Sequence, residues 1–451
     1  MGKVSRRGFL KIISAGATAS SLGVSRLFLK DASAAPIAGR KVVNIFLNGG
    51  CDMFIPVQPT GFGSVMDQLR INRPTLGMPL LNNVGAPFTR LALNGSNYTL
   101  HDQMTEFQTL FNRSPRECAI LLKGGILTNN TGSHEEAQRD HQTGVDNGNA
   151  VDNTGWIQKI MEANGVNDGF RVVDLTGGGI ATGATVLSGQ FRPTALNSLA
   201  DFGYRAELGT TITGEYGFRM ATAQSIISTA SGAGATASVI KQNWAQLNQT
   251  VAAVGTAFSS GCGSYNSGAG TCSALTTQFP NTGIGRQLRD IYFSFLQLPA
   301  QFGYAETGGY DVHEYSDPQG QVPGARTAMS ARLRDLNSAL NVFRRNCEAA
   351  GIWDDMIIVI NSEFGRTNRE NVTVGLDHAD ASMVFLLGGA VAGGVYGQDF
   401  TVAELQRPQN AVGAQIKIRD VYCDIIEGLS MSSAATFPGF TRTPLGIIRP
   451  A

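Results

Sequence analysis

Six short apolar runs punctuate the chain, and each opens into a Gly-rich or polar loop. They read KVVNIFLNGG from Lys41, CAILLKGG from Cys118, FRVVDLTGG from Phe170, QFGYAETGG from Gln301, DMIIVINSEFG from Asp355 and MVFLLGGAV from Met383. Short apolar runs bounded in this way are expected as buried strands. Between them, GIGRQLRDIYFSFLQL and ARTAMSARLRDLNSALNVFRRNCEAAG carry apolar residues near i, i+3, i+4 spacing, with Gly351 as a stop for the second; both predict helices. Alternating strands and helices predict an α/β fold, a mostly parallel sheet sandwiched by helices. Residues 205–280, rich in Ala, Ser, Thr and Gly, read as a helical insertion within a single domain spanning 36–451.

In a sheet of this kind the ligand site lies beyond the carboxyl ends of the strands. Asp52, Ser133-His134, Asp311-x-His313 and Glu363 all fall at or just past those ends, and Asp377-His378 follows soon after Glu363. Each has a local explanation. Asp52 can cap a helix starting at residue 53, Asp311-x-His313 can be a hydrogen-bonded turn, Glu363 can pair with Arg366 or Arg369, and Asp377 can orient His378. A buried carboxylate is nevertheless costly unless it is paired or holds a metal. One shared metal site accounts for all the strand ends together, and Asp-x-His on a strand puts both side chains on one face. The expected ligands are Asp52, Asp311, His313, Glu363 and His378, with His134, His141, Arg366 and Asp377 around them. Carboxylates with imidazoles suit one or two divalent ions, with Zn, Mn, Mg and Ca all open.

Ser133 is the candidate nucleophile, since a metal lowers the pKa of a hydroxyl and stabilises the attacking oxygen. A Ser-His-Asp hydrolase ranks below this, because Ser133 lacks a G-x-S-x-G elbow and adjacent Ser and His rarely meet the geometry. Arg139 and His141 either shape an anion pocket or are solvated helix residues. His101 reads as structural, with an approach to the site left open.

Composition narrows the partners. Of 451 residues 16% are charged and the formal net charge is zero, which argues against nucleic acid or an anionic membrane as the main partner. No uninterrupted apolar run is long enough for a transmembrane helix. The first 35 residues form a separate unit, with Ser5-Arg6-Arg7-Gly8-Phe9-Leu10-Lys11 of twin-arginine form and a small-residue Ala32-Ser33-Ala34 cleavage site. They predict export by the twin-arginine machinery to the periplasm or beyond. Loss of residues 1–34 removes six basic and one acidic side chain and leaves a net charge of −5. Cys262 and Cys272 bracket a polar loop that a disulfide could close, whereas Cys51, Cys118, Cys347 and Cys423 read as small buried hydrophobes. No C-x-x-C occurs, so neither a structural zinc site nor a thioredoxin-like motif is supported.

The ordered series FLNGGCDMFIPVQP, GSHEEAQRDHQTG, GWIQKIM, GGYDVH, SEFGRTNREN and LDHADASMVFLLGG resembles the exported family catalogued as domain of unknown function 1501. That family is similar to the alkaline phosphatase and sulfatase superfamily, whose fold is a helix-covered parallel sheet and whose sites hold one or two divalent metals. The resemblance implies Asp52 as the first-strand ligand and Glu363 in place of an aspartate. It also implies Asp311 and His313 as the Asp-His ligand pair, His378 as the late histidine and Ser133 near the nucleophile. Phe364 follows Glu363 where many superfamily members carry Asp-His, which removes one ligand. The Cys-x-Pro-x-Arg or Ser-x-Pro-x-Arg sequence of formylglycine sulfatases is absent. Ala379 follows His378 where the family often has glycine. The expectation is an exported metal-dependent hydrolase acting on an anionic phosphate- or sulfate-type ester. The alternative is a catalytically degenerate, metal-stabilised binding or assembly protein.

Overall fold

The computed structural model describes residues 39–60, 63–76, 90–125, 132–145, 154–166, 169–176, 181–182, 194–195, 275–313, 324–407 and 412–450. The expected export signal, the Cys262–Cys272 ring and nearly all of the 205–280 insertion lie outside them.

The six apolar runs all form strands of one nine-stranded sheet. The sheet strands are β1 (Lys41–Leu47), β2 (Cys118–Gly125), β3 (Val172–Asp174), β4 (Thr194–Ala195), β5 (Phe302–Thr307), β6 (Met356–Asn361), β7 (Ser382–Leu387), β8 (Gly394–Tyr396) and β9 (Ile416–Lys417). Their order is β8-β2-β7-β6-β1-β5-β3-β4, with β9 also paired to β2. All ladders are parallel except those of β7, which runs antiparallel to both β2 and β6. The mostly parallel sheet expected from the alternation is therefore present. Its one reversed strand matters for the site, because the residues that enter β7 lie at the edge where β1, β5 and β6 end.

The longer helices among the described residues are α1 (Gly63–Asn72), α2 (Thr105–Asn112), α3 (His134–Thr143), α4 (Trp156–Ala163), α5 (Gly283–Gln297), α6 (Gly324–Ala349) and α7 (Ile418–Gly428). Side-chain alternation along β1 divides the core in two. Val43, Ile45 and Leu47 pack into a cluster with apolar residues of α1, α2, α5 and α6. Val42 and Phe46 face the opposite cluster, built from α4 and α7. Helices thus cover both faces, which is why β1 and β6 are buried at every position.

The second face carries a polar seam. Asn44 of β1 accepts from Trp156 Nε1 (3.1 Å) and donates to Asn361 of β6 (3.1 Å). Asn361 donates to Tyr422 (3.0 Å), whose hydroxyl donates to the His141 carbonyl (2.9 Å). The chain of bonds ties α3, α4 and α7 to the sheet just below its carboxyl edge. The four described cysteines, Cys51, Cys118, Cys347 and Cys423, are buried free thiols, as their apolar surroundings predicted.

Candidate metal centre

Three segments deliver four side chains to one point at the carboxyl edge. His134 opens α3, Asp311 and His313 follow β5, and His378 precedes β7. One ligand atom from each lies within 4.8 Å of every other. A two-residue ribbon positions the last of these: Arg366 pairs with His378, and Gly365 with Ala379, in antiparallel register.

The three imidazoles share one arrangement. His134 Nδ1 is 2.9 Å from Glu363 Oε1, His313 Nδ1 is 3.2 Å from Asp377 Oδ1, and His378 Nδ1 is 2.7 Å from the Gly132 carbonyl. Each partner is an oxygen acceptor, so each Nδ1 carries the proton and each Nε2 presents a lone pair. Those Nε2 atoms converge. His313 and His378 bring theirs to 2.6 Å of each other, and His134 Nε2 is buried with no hydrogen-bond partner among the described residues. His134 Nε2 lies 3.6 Å from Asp311 Oδ2 and His313 Nε2 lies 3.5 Å from Asp311 Oδ1. Lone pairs aimed at each other and at a carboxylate repel unless a cation sits among them. Nδ1 tied to oxygen with Nε2 pointing inward is the arrangement that metal-binding histidines adopt.

The surroundings favour a neutral His378 ring. Burial pushes the His378 imidazole down to about 4, and the nearby Arg366, His313 and His134 add to this against the Gly132 bond. Burial works to raise the Glu363 carboxyl, but bonds from His134, Gln138 and the Gly49 N–H hold it below the usual range. Phe364 forms an apolar wall, its ring centroid 4.8 Å from that of His134 and 4.3 Å from that of His378.

Tight backbone turns set these positions. Gly49 and Gly50 end β1 at φ +115° and +73°. A Cβ on Gly49 would collide with the main-chain nitrogen of Asp311, and one on Gly50 with the Phe364 ring. Arg366, fully buried, donates to the carbonyls of Gly49, Gly50 (2.8 Å) and Leu376 (3.0 Å) and to Asp311 Oδ1 (2.9 Å).

The structure redistributes the residues singled out in the sequence. Asp311, His313 and His378 come together, and His134, expected as a neighbour, stands among them. Glu363, expected as a ligand, lies behind His134: Oε1 accepts from Gly49 N (2.7 Å) and Gln138 (3.2 Å), and Oε2 from Ser362 (3.0 Å). Asp52 is not in the cluster. Both of its oxygens are taken by the buried Arg73 at 2.7 and 2.9 Å, and Oδ2 also accepts the N–H groups of Phe54 and Ile55. That ion pair neutralises the buried charge without a metal. Asp377 orients His313 rather than its sequence neighbour His378. His141 is fully buried and neither ring nitrogen has a hydrogen-bond partner among the described residues, so it does not face an anion from solvent. His101 bonds Ser330 (2.9 Å), outside the cluster. Ser133 caps α3, its Oγ 3.4 Å from the Glu136 N–H.

Three residues around the centre escaped the sequence reading: Asn48, Gln138 and Glu306. The available signals were small. Gln138 is four residues after His134, hence on the same helical face, and Glu306 occupies a strand end five residues before Asp311.

The family described as "Protein of unknown function (DUF1501)" matches residues 286–449. The matched segment contains Asp311, His313, Glu363 and His378. No curated protein matches the sequence. Among solved structures, the lipoteichoic acid synthase LtaP from Listeria monocytogenes is 9% identical, with 88% of this chain and 79% of that chain covered and a TM-score of 0.27. BT4656, solved with its substrate D-glucosamine-2-N,6-O-disulfate, is 9% identical, with 91% and 82% covered and a TM-score of 0.30.

Proposed function

We propose that this chain is an exported, metal-dependent hydrolase of the phosphatase-like class. The observation that carries the reading is the convergence of three Nε2 lone pairs and Asp311, each imidazole fixed through Nδ1 by an oxygen acceptor. His134, Asp311, His313 and His378 would hold one divalent ion. Three imidazoles with one carboxylate suit a first-row transition ion or Zn better than Mg or Ca, which prefer oxygen ligands. Such an ion supplies positive charge to oxygens of the ester and acidifies a nearby hydroxyl or water.

The residues around the ligands have distinct roles. Glu363, Asp377 and the Gly132 carbonyl hold the three rings in the tautomer that keeps Nε2 free. Arg366 fixes Asp311 through Oδ1, which leaves Oδ2 facing His134. Ser133, adjacent to His134 at the α3 N-terminus, would attack phosphorus or sulfur, and the helix end favours the anionic group of an ester. The twin-arginine form of residues 5–11 supports export.

A second reading is a metal-stabilised binding or assembly protein without turnover. It is favoured by the charge at the rim: the side chains of Asp311 and Asp377 are more than half exposed, while Arg366 is fully buried. Elemental mass spectrometry on purified protein, with Asp311→Ala and His313→Ala alongside, tests the metal centre. About one divalent ion per chain, lost in both variants, is expected; no ion in the wild type ends the reading. Turnover of phosphate or sulfate esters that Ser133→Ala abolishes, at unchanged metal content, separates hydrolase from binding protein.

A further inference from the structure

We propose that Asn371 is the positioning residue for the ligand His313, an inference that rests on the metal centre described above. Of the three oxygens that hold the imidazoles, two are fixed by the fold. The Glu363 side chain is fully buried just past β6, and the Gly132 carbonyl belongs to the main chain. The third, Asp377 Oδ1, belongs to a side chain that is 57% exposed. By itself a carboxylate in that setting turns readily toward water, which competes for its bonds. His313 keeps its orientation only if Asp377 is held.

Asn371 supplies the hold through one nitrogen. Its Nδ2 donates to Asp377 Oδ1 (2.9 Å) and to the His313 carbonyl (3.0 Å), so both amide hydrogens are used. Asp377 Oδ1 lies 3.2 Å from His313 Nδ1. The amide thus grips His313 at its main chain directly and at its ring through Asp377. Asn371 Oδ1 fixes which way the amide faces. It accepts the N–H groups of Thr373 (3.1 Å) and Gly375 (2.9 Å), and an inverted amide would set its own N–H groups against those donors. The Thr373 hydroxyl, 2.8 Å from Oδ1 and 3.0 Å from the His313 carbonyl, donates to one or the other.

The main chain of the loop is shaped around the same two residues. Asn371 N donates to the Gly375 carbonyl (3.0 Å) and Val374 N to the Asn371 carbonyl (3.1 Å), which folds residues 371–375 back on themselves. Val374 sits at φ +59°, a left-handed conformation that a β-branched residue rarely adopts. Gly375 passes so close to His313 that a Cβ would run into its carbonyl. Leu376 N donates to the Val312 carbonyl (2.9 Å), and the Leu376 side chain is buried in the core. Val372, at the tip, is fully exposed. Strain of the Val374 kind persists where neighbouring bonds over-determine the backbone, and here those bonds converge on Asn371 and His313.

Asn371→Asp and Asn371→Ala separate the two halves of the amide. Asn371→Asp keeps an oxygen for the Thr373 and Gly375 N–H groups, so the turn is retained. It has no hydrogen for Asp377 or the His313 carbonyl, and it sets a second negative charge beside Asp377. A residue that only shapes the loop predicts wild-type zinc binding in Asn371→Asp. A positioning residue predicts that both variants bind zinc about 10- to 100-fold more weakly, at unchanged stoichiometry once saturated. Competition against a chelator measures the affinity.

A second readout does not depend on affinity. The chain has five histidines, so nitrogen-15 labelled imidazoles can be followed individually by NMR in the zinc-loaded protein. The His313 Nδ1–H signal should broaden and exchange faster in both variants, while those of His134 and His378 stay as in wild type. Wild-type affinity in Asn371→Asp, or weaker affinity with the His313 signal unchanged, overturns the proposal and leaves the metal centre standing. A wild type that binds no zinc overturns both.

Discussion

Glu363 stands behind His134 rather than beside it, its Oε1 2.9 Å from the ring Nδ1 on the side away from the other histidines. The carboxylate accepts the Nδ1 proton and so leaves Nε2 as a lone pair. Glu363→Gln replaces an acceptor with an amide that can donate instead, which frees His134 to move its proton to Nε2. Metal affinity should fall about 10- to 100-fold, as for other partners that orient a ligand, with the stoichiometry at saturation unchanged. Titration against a competing chelator measures this. Unchanged affinity would show that Glu363 does not set the tautomer.

Asp52 and Arg73 make the opposite case, a buried pair that needs no ion. Asp52→Ala leaves Arg73 buried and unpaired, which should destabilise the fold by about 3–5 kcal/mol. Replacing both, as Asp52→Ala with Arg73→Met, should recover most of that loss. Metal content should stay at wild-type levels in whichever variants fold. Urea unfolding of the two singles and the double checks the cycle; a folded Asp52→Ala protein lacking metal would return Asp52 to the ligand set.

The contrast between these two carboxylates shows what was legible beforehand. The apolar runs of β1, β5 and β6 announced a parallel sheet, and a parallel sheet announces where its ligands gather. Asp311, His313, Glu363 and His378 could therefore be grouped without coordinates. The reversal of β7, which carries His378 to the edge, has no signature in residues 382–387, because a buried strand is apolar in either direction. Nor does sequence distinguish a first contact from a supporting one. His134 and Glu363 differ only in which faces the centre, and that depends on Gly49 and Gln138 holding the Glu363 carboxylate and on Phe364 packing against the His134 ring. The Asp52–Arg73 pair joins residues 21 apart, with no periodicity to connect them.

Backbone geometry at the end of β1 gives a third expectation. Gly49→Ala introduces both a strained φ and a collision with the main chain of Asp311. Gly165, at φ +65° and with open space within 4 Å of where a Cβ would stand, isolates the strain alone. Gly165→Ala should cost about 1–2 kcal/mol and leave metal binding untouched. Gly49→Ala should cost more and weaken metal binding as Asp311 is displaced. Thermal unfolding with and without added metal distinguishes them, and equal behaviour of the two variants would remove Gly49 from the support of the centre.

His141 supplies a pH test separate from the metal ligands. Burial drives its imidazole down to about 4, with the Glu363 charge opposing only in part. Its unfolded value is near the ordinary 6.5, so between those two values the unfolded chain binds the extra proton and the folded chain does not. The stabilisation is full above about pH 6.5 and declines as the pH falls toward 4. A shift of this size corresponds to about 3 kcal/mol. His141→Leu cannot protonate and leaves no polar ring atom buried without a partner. Its unfolding free energy should therefore match or exceed wild type at neutral pH, and should fall less steeply between pH 6.5 and 4. Denaturant unfolding across that window measures both slopes. Parallel slopes would mean that His141 is already protonated in the native protein, and that the polar seam beneath α3 holds a charge.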